Sequence, residues 1–207
     1  MKVTKYPQSC LLLEKEGRRI VIDPGNFFAA KYNVDELGAI EVVLYTHQHA
    51  DHYDGSLIEA FRSSQVALYG NSDVAALIGE GARQVQDGEQ FSAAGFSIVP
   101  RDLPHCVMPD GSAGPPNTGY VIDGNFFHPG DGIEISGLRV EHAAVPIAGP
   151  SVSLYHAVQF ATSLGAKKVI PIHYDNTALF PGNPDGFAKV CKNAEVIVLK
   201  DGQTTEL

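Results

Sequence analysis

Three histidines and one aspartate lie within six consecutive residues of the chain, at His47, His49, Asp51 and His52. The apolar residues 42–45 come directly before them, which places the cluster on the loop at the carboxyl end of a predicted buried strand. Neutral imidazole and carboxylate groups together suit a divalent metal such as zinc. Because four ligands crowded into one turn cannot easily face one ion, the spacing favours two ions, with His47 and His49 on one and Asp51 and His52 on the other.

Three more candidate ligands follow apolar segments further along the chain, at His105, Asp131 and His173. Ligands at strand ends are held by rigid scaffolding, as a preorganised metal site requires. We therefore predict a site with seven metal ligands. One ion is assigned to His47, His49 and His105, the other to Asp51, His52 and His173, and Asp131 is the carboxylate that bridges the two.

The elements that must position these residues can be predicted from apolar periodicity and turn residues. Glu16-Gly17 and Asp123-Gly124 each separate two apolar runs and predict β-hairpins. Further strands are predicted over residues 42–45, 66–69, 169–172 and 195–199. Helices are predicted over residues 57–61, 72–77 and 151–164, the last with Ser151 as its N-cap, and from Asn183-Pro184 onward with Phe187, Val190 and Cys191 on one face. This order fits an α/β fold with two β-rich halves, each covered by helices.

Length and charge restrict the class of protein. A chain of 207 residues is long enough for one domain with a substantial core, spanning residues 1–207. The net charge of −9 disfavours a nucleic-acid partner, because such binding needs clustered lysine and arginine. A small anionic substrate stays compatible with this charge, since bound metal ions dominate the local field of their site.

The cysteines and the N-terminus indicate a cellular compartment. Cys10, Cys106 and Cys191 are odd in number and form no C-x-x-C motif, which favours a reducing, cytoplasmic environment. Cys106 directly follows His105, so it is either a reactive thiol beside the site or a small buried filler, and the filler is the commoner case. The first residues contain no apolar segment of the length that a signal peptide or a membrane anchor needs.

These motifs together resemble the metallo-β-lactamase-fold hydrolases. The matching segments are Thr46-His47-x-His49-x-Asp51-His52, His105, His128-Pro129-Gly130-Asp131 and His173, with Asp23 in Ile22-Asp23-Pro24. Within that family, residues 145–150 and 170–174 are similar to the UlaG-like branch. The resemblance covers residues 8–175 and implies a four-layer αββα sandwich with the metal ions at one edge of the two sheets.

The chemistry that follows is hydrolysis at a dinuclear centre. Two divalent ions, expected to be zinc with manganese or iron as alternatives, would share a water and lower its pKa toward 7. The bridging hydroxide would attack a small ester, lactone or phosphodiester. Asp51 is the candidate for orienting the hydroxide and taking its proton. His49 stands where di-iron oxidoreductases of this fold carry a carboxylate, which favours hydrolysis over redox chemistry.

Residues around the ligands are predicted to support them. Asp23 is expected to hydrogen-bond a ligand imidazole, with a simple turn carboxylate as the alternative. His128, three residues before Asp131, is a candidate supporting residue of the site or a proton donor, or else a histidine at the surface end of a strand. His142 and His156 are not expected to bind metal. Three positions depart from the UlaG-like pattern: Gln8 replaces a histidine, Gly132 a threonine and Glu141 an aspartate.

Two other functions remain open at this point. The chain could be a nuclease of the same fold, which its charge and the lack of a basic insert disfavour. It could also be a regulatory protein that keeps the metal site without turnover. The substrate depends on the conformations of residues 102–117 and 176–183, and the sequence leaves a homo-oligomer open.

Overall fold

The computed structural model describes residues 1–176 and 178–207. The first half of the chain forms strands β1 (Lys2–Lys5), β2 (Leu11–Lys15), β3 (Arg18–Ile22), β4 (Val42–Leu44), β5 (Ala67–Gly70) and β6 (Ala82–Gln84). The second half forms β7 (Phe91–Ala93), β8 (Phe96–Asp102), β9 (Thr118–Ile122), β10 (Phe126–His128), β11 (His142–Pro146), β12 (Lys168–Ile172), β13 (Glu195–Val196) and β14 (Thr204–Glu206).

The strands make two sheets with the same internal plan. The first has the order β14-β1-β2-β3-β4-β5-β6, and the second has the order β13-β12-β11-β10-β9-β8-β7. In each sheet an antiparallel meander continues into parallel strands, which are β3 to β6 in the first sheet and β10 to β13 in the second. The carboxyl ends of these parallel strands lie at one edge, where loops can gather functional groups.

The two predicted hairpins form for a local reason. Glu16 and Gly17 both have positive φ angles, of 52° and 76°, and Asp123 and Gly124 have φ angles of 51° and 68°. Two successive residues in this region make the tight turn whose twist matches that of the flanking strands. The pairs Leu13↔Ile20 and Phe126↔Ile122 then follow in register.

Helices cover the outer face of each sheet and produce four layers. Helices α1 (Asn26–Ala29), α2 (Ile58–Ser63) and α3 (Ser72–Ile78) belong to the first half, together with 3-10 turns at Val34–Leu37 and Gly55–Leu57. Helices α4 (Leu154–Leu164) and α5 (Pro184–Val190) belong to the second half. Side chains from both sheets, such as Leu13 and Tyr120, pack in one central core, and each helical layer packs on its own sheet in a further core. The predicted αββα arrangement is confirmed.

Several predicted boundaries were wrong. Helix α4 begins at Leu154 because Ser153, and not Ser151, caps it by accepting a hydrogen bond from the backbone N–H of His156. Val190 is 52% exposed, so it does not share the buried face of α5. The strand predicted over residues 195–199 ends at Val196. Strands β1 and β14 were missed because they are short segments of mixed polarity at the two ends of the chain. No helix formed by residues 1–176 and 178–207 has the length and apolar character needed to cross a bilayer.

Candidate metal centre

Residues 46–52 form a loop, called the histidine-rich loop, that follows β4 and lies against the end of β3. The backbone N–H of Asn26 donates to the carbonyl of Ala50 at 2.8 Å. At Gly25 a Cβ atom would lie 2.2 Å from the backbone carbon and oxygen of Asp51. Only glycine permits this close approach, and it lets the loop fold back over the sheet edge so that its side chains face inward.

Four side chains, His47, His49, His105 and Asp131, form the first of two groups and are called the four-residue cluster. The Nδ1 atom of His49 lies 3.1 Å from Nε2 of His47 and 3.2 Å from Nε2 of His105. Ligands about 2.0 Å from a tetrahedral zinc ion are separated from one another by about 3.3 Å. The three imidazole nitrogens therefore have the spacing of ligands that share one such ion.

Asp51, His52 and His173 form the second group, called the three-residue cluster. Oδ2 of Asp51 lies 3.1 Å from Nε2 of His173 and 3.9 Å from Nε2 of His52. One carboxylate and two imidazoles are a donor set that zinc, manganese and iron accept. These are the three residues that the sequence analysis assigned to its second ion, whereas Asp131, expected there as a bridge, is grouped with the other cluster.

Asp131 lies between the two clusters. Its Oδ2 is 3.4 Å from Nε2 of His105 and 3.0 Å from Nε2 of His173, and its Oδ1 is 3.0 Å from Nε2 of His52. His52 Nε2 and Asp131 Oδ1 are both buried, and although they lie 3.0 Å apart, neither atom makes a hydrogen bond of acceptable geometry with any described residue. Buried polar atoms without partners are costly, and a cation between them would satisfy both. The residues present therefore fit a metal centre.

Protein oxygen atoms fix the rings of four ligand histidines. The Nδ1 atoms lie against Thr46 Oγ1 for His47 (3.0 Å), Asp23 Oδ2 for His52 (2.7 Å), the Cys106 carbonyl for His105 (2.6 Å) and the Ala148 carbonyl for His173 (2.8 Å). Carbonyl and carboxylate oxygens can only accept, and the Thr46 hydroxyl already donates its proton to Asp23, so in each neutral ring Nδ1 carries the proton. Each Nε2 then offers a lone pair to the centre, which is how supporting residues orient metal ligands.

Asp23 and Thr46 form the buried base of this arrangement. The Asp23 carboxylate accepts hydrogen bonds from the backbone N–H of Thr46 (2.8 Å), from its hydroxyl (2.7 Å) and from His52 Nδ1. The prediction that Asp23 hydrogen-bonds a ligand imidazole is confirmed. Sequence reasoning gave Thr46 no role of its own, although its position directly before His47 was the available signal.

The histidines of the centre fall into two groups, one with lowered and one with raised pKa values. Burial lowers the pKa of His47 and of His49, and the neighbouring imidazoles add to this effect. Burial also opposes protonation of His105 and His173, but contacts with Asp131 outweigh it and raise both pKa values to about 10. The pKa of His52 is raised in the same way by Asp131, Asp23 and Asp51.

The two carboxyl groups respond in the opposite direction. Burial by itself would raise the pKa of Asp131, but the positive charges of His173 and His52 hold it well below its ordinary value. The pKa of Asp51 is likewise lowered by His52 and His173 against the effect of burial. Protons on the histidines thus balance the carboxylates, and a divalent ion would take over that charge as the protons leave.

Of the roles predicted for His128, the contacts in the structure fit that of a supporting residue. His128 is fully buried, its Nε2 donates to the Ser9 carbonyl at 2.8 Å, and its Nδ1 accepts from the backbone N–H of Gly130 at 3.2 Å. Burial lowers its pKa and favours the neutral ring. With both nitrogens bonded to backbone, His128 holds the turn that carries Asp131.

The remaining sequence candidates lie outside the centre. His156 is exposed on α4 and His142 is half-buried at the start of β11. Glu141 is exposed and pairs with Lys167, so its difference from the UlaG-like pattern does not reach the site. Cys106 is buried, as expected of a filler, and its carbonyl orients His105.

Gly132 has a steric explanation. A Cβ atom at this position would lie 2.5 Å from Cγ and Cδ1 of Leu103 and 3.0 Å from the carbonyl of Pro104. The backbone of Gly132 forms an antiparallel bridge with His105. A threonine would therefore displace the segment that carries a ligand.

A cavity of about 290 Å³ opens onto the metal centre. Its inner face is formed by members of both clusters, of which His49 and Asp51 are half-buried and the others buried: His49, Asp51, His105, Asp131 and His173. Its outer wall is made by Asn26, Phe27, Ala50, Met108, Pro150, Asn176 and Phe180. As predicted, the segments 102–117 and 176–183 contribute to it, whereas the contributions of Asn26 and Phe27 were missed because α1 had not been recognised.

Comparisons with known proteins agree with this geometry. The Beta-lactamase superfamily domain matches residues 2–173. Protein Rv0786c of Mycobacterium tuberculosis is 28% identical to the chain over 84% of each sequence. A UPF0173 metal-dependent hydrolase of Staphylococcus carnosus is 24% identical over 98% of each sequence. Igni18, a solved structure described as a metallo hydrolase of Ignicoccus hospitalis, has a TM-score of 0.82 at 22% identity, and the match covers 100% of this chain and 98% of that one.

Proposed function

The chain belongs to the Beta-lactamase superfamily, and from this premise we propose that it is a hydrolase whose centre holds two divalent metal ions. It is a metal-dependent hydrolase of this superfamily, the class that the name of its Staphylococcus carnosus relative also states. The number of ions, their identity and the substrate belong to the proposal. Membership of the UlaG-like branch stays a prediction from residues 145–150 and 170–174.

The observation that carries a dinuclear centre is the position of Asp131. Its two oxygen atoms lie 3.0–3.4 Å from imidazole nitrogens of both clusters, so Asp131 would help to hold an ion in each of them. Five imidazoles and two carboxylates suit zinc, with manganese and iron as alternatives.

Divalent ions held by the two clusters would supply a water of lowered pKa and would polarise the bond under attack. The protein groups hold and direct this chemistry. Asp51 lines the cavity and is the more exposed of the two carboxylates, with 21% of its side chain exposed against 5% for Asp131. Its pKa is lowered, so it is ionised at neutral pH and could orient the attacking water and accept its proton. Asp23, Thr46 and the carbonyls of Cys106 and Ala148 keep the imidazole rings fixed while charge develops.

The wall of the cavity supports a small, uncharged ester or lactone as substrate. Phe27, Met108, Pro150 and Phe180 offer apolar contact, and the amides of Asn26 and Asn176 offer uncharged hydrogen bonds. Among the described residues, neither lysine nor arginine lines this cavity. A phosphodiester would therefore find no cation beyond the metal ions, and a nuclease function is disfavoured for the same reason and by the net charge of −9.

The proposal is tested by metal content and hydrolysis together. Elemental analysis of the purified protein is expected to give two equivalents of metal. Asp131→Ala and His49→Ala are expected to lower metal content and to reduce ester or lactone hydrolysis by roughly 100-fold or more. His156→Ala is the control, because His156 is exposed on α4.

Two results would contradict the proposal in different ways. Full activity after the metal has been removed would exclude a metal-dependent mechanism. A metal-loaded protein that is inert toward a broad panel of esters, lactones and phosphodiesters would support a binding protein without turnover.

A further inference from the structure

Gln8 is a buried side chain that joins two parts of the metal centre. It lies in the loop between β1 and β2, is 0% exposed and has a φ angle of 64°, a conformation that a residue with a side chain adopts only where its surroundings stabilise it. Its Nε2 donates to Asp51 Oδ2 at 2.9 Å, and its Oε1 accepts from the backbone N–H of Asp175 at 3.0 Å.

The orientation of the Gln8 amide is decided by chemistry. The N–H of Asp175 can only donate, so the oxygen end of the amide must face it, and the NH₂ end must then face Asp51. A carboxylate oxygen has two lone pairs. Asp51 Oδ2 can therefore accept from Gln8 and still direct a lone pair toward the three-residue cluster.

The backbone of Gln8 holds the other side of the same cluster. The carbonyl of Gln8 accepts from the N–H of His173 at 3.1 Å, and the N–H of Gln8 donates to Asp175 Oδ2 at 2.6 Å. His173 itself has a φ angle of 60°, a strained backbone conformation that persists only where its surroundings hold it. The bonds to Gln8 hold His173 in the conformation that directs its ring into the site.

Lys5 pairs with Asp175, the residue whose carboxylate accepts from the backbone N–H of Gln8. The side chain of Lys5 is fully buried, and its Nζ lies 2.8 Å from Asp175 Oδ2, 3.5 Å from Asp201 Oδ1 and 4.6 Å from the centre of the Tyr174 ring. Burying an ammonium group destabilises the fold unless the group is paired with an opposite charge. Here the pairing fixes the carboxylate that binds the backbone of Gln8.

We infer that Gln8 is a positioning residue that sets Asp51 and His173, two of the three members of the three-residue cluster, in place for their ion. This inference rests on the proposed metal centre. Gln8 makes no contact of this kind with the four-residue cluster, so the effect of its loss is selective. Lys5 acts through Asp175 on the same pair.

The test measures the two metal equivalents separately. Cobalt(II) is titrated into protein that has been made metal-free with a chelator, called the chelated protein. Competition with a second chelator gives the affinity of each equivalent, and the visible spectrum identifies the site that is filled. In Gln8→Leu, one equivalent is expected to bind roughly 10- to 100-fold more weakly with an altered spectrum, while the other stays within about twofold of the wild type. Gln90→Leu is the matched control, because Gln90 makes only an exposed contact with Ser97.

Two further variants separate positioning from folding. Gln8→Asn keeps an amide and tolerates a positive φ angle but is one methylene too short to reach Asp51 and Asp175 together, so it is expected to fold and to show the same selective loss. Gln8→His offers one donor and one acceptor in the neutral ring and is expected to recover part of the affinity.

The outcomes for this inference and for the proposed function are distinct. If each cobalt equivalent binds to Gln8→Leu and to Gln8→Asn as tightly as it binds to the wild type, the role of Gln8 is overturned. The proposed dinuclear centre is unaffected by that result. Equal weakening of both equivalents also overturns the selective role. A wild-type protein that binds no cobalt overturns both.

Discussion

Asp23 Oδ2 lies 2.7 Å from Nδ1 of His52, and both side chains are fully buried at the base of the metal centre. The carboxylate reaches the ring from β3, whereas the histidine belongs to the loop after β4. This hydrogen bond fixes which nitrogen of His52 faces the ligand group. The arrangement of the centre therefore depends on residues that touch no metal.

Asp23→Asn is expected to weaken metal binding by roughly 10- to 100-fold, because an amide cannot accept from His52 and from both donors of Thr46. The affinity is measured by competition with a chromophoric chelator. Asp35→Asn is the control, since Asp35 is exposed in the 3-10 turn Val34–Leu37. Unchanged affinity in Asp23→Asn would show that the ring of His52 is held by other contacts.

Gly25→Ala is expected to displace the histidine-rich loop. The new Cβ would lie 2.2 Å from backbone atoms of Asp51, and backbone cannot move aside as a flexible side chain can. We expect a loss of about 1–3 kcal/mol in the free energy of unfolding together with reduced metal content. Thermal or urea unfolding measures the first, and elemental analysis the second. Gly55→Ala, whose Cβ would meet Tyr53 at an ordinary 3.7 Å, should change neither.

Metal affinity is expected to rise with pH. His105 and His173 have pKa values raised to about 10 by the nearby carboxylates, against the effect of burial, so both rings carry protons at pH 7 in the chelated protein. Each ring must lose its proton before it can bind metal, and the apparent Kd therefore falls by up to roughly tenfold per pH unit for each proton released. Calorimetry in buffers with different ionisation enthalpies counts these protons, and a titration with no proton release would contradict the prediction.

The same groups predict how the stability of the chelated protein depends on pH. A histidine whose pKa is higher in the folded than in the unfolded protein stabilises the fold while it is protonated. This contribution is complete below about pH 6.5, the ordinary histidine value, and is lost as the pH rises toward about 10. The Tm of the chelated protein should fall across this interval, whereas the Tm of the metal-loaded protein should not show this loss.

Phe27, Met108 and Phe180 are expected to determine which acyl groups are accepted. They belong to the wall of the cavity beside Asp51 and His49, so shortening Phe27 or Phe180 to alanine removes apolar contact with the substrate and leaves the ligands in place. For esters with a four- to six-carbon acyl chain, we expect kcat/KM to fall by roughly 10- to 100-fold, mainly through KM. Acetate esters should be affected less. If kcat/KM fell equally for all acyl chain lengths, these residues would contribute to the hydrolytic step and would not select the acyl group.

The fold was predictable where the signals are local. Glu16-Gly17 and Asp123-Gly124 gave the hairpins because two residues at positive φ specify the turn by themselves. The first residue of α4 was placed three residues early, since Ser151 and Ser153 are equally good caps in sequence and only the structure shows which hydroxyl reaches a backbone N–H. Strands β1 and β14 were missed because their pairing joins the two ends of the chain.

For the metal centre, the sequence determined the types of ligand and their position at strand ends, because ligand chemistry and apolar periodicity are properties of short segments. The sequence also suggested the place of Asp131 between the two groups. Only the tertiary structure decided that His128 bonds to the backbone and that Gln8 connects Asp51 with His173. Those relationships join residues far apart in the chain. They follow from the order of strands in two sheets and the packing of buried side chains, which no local pattern of residues specifies.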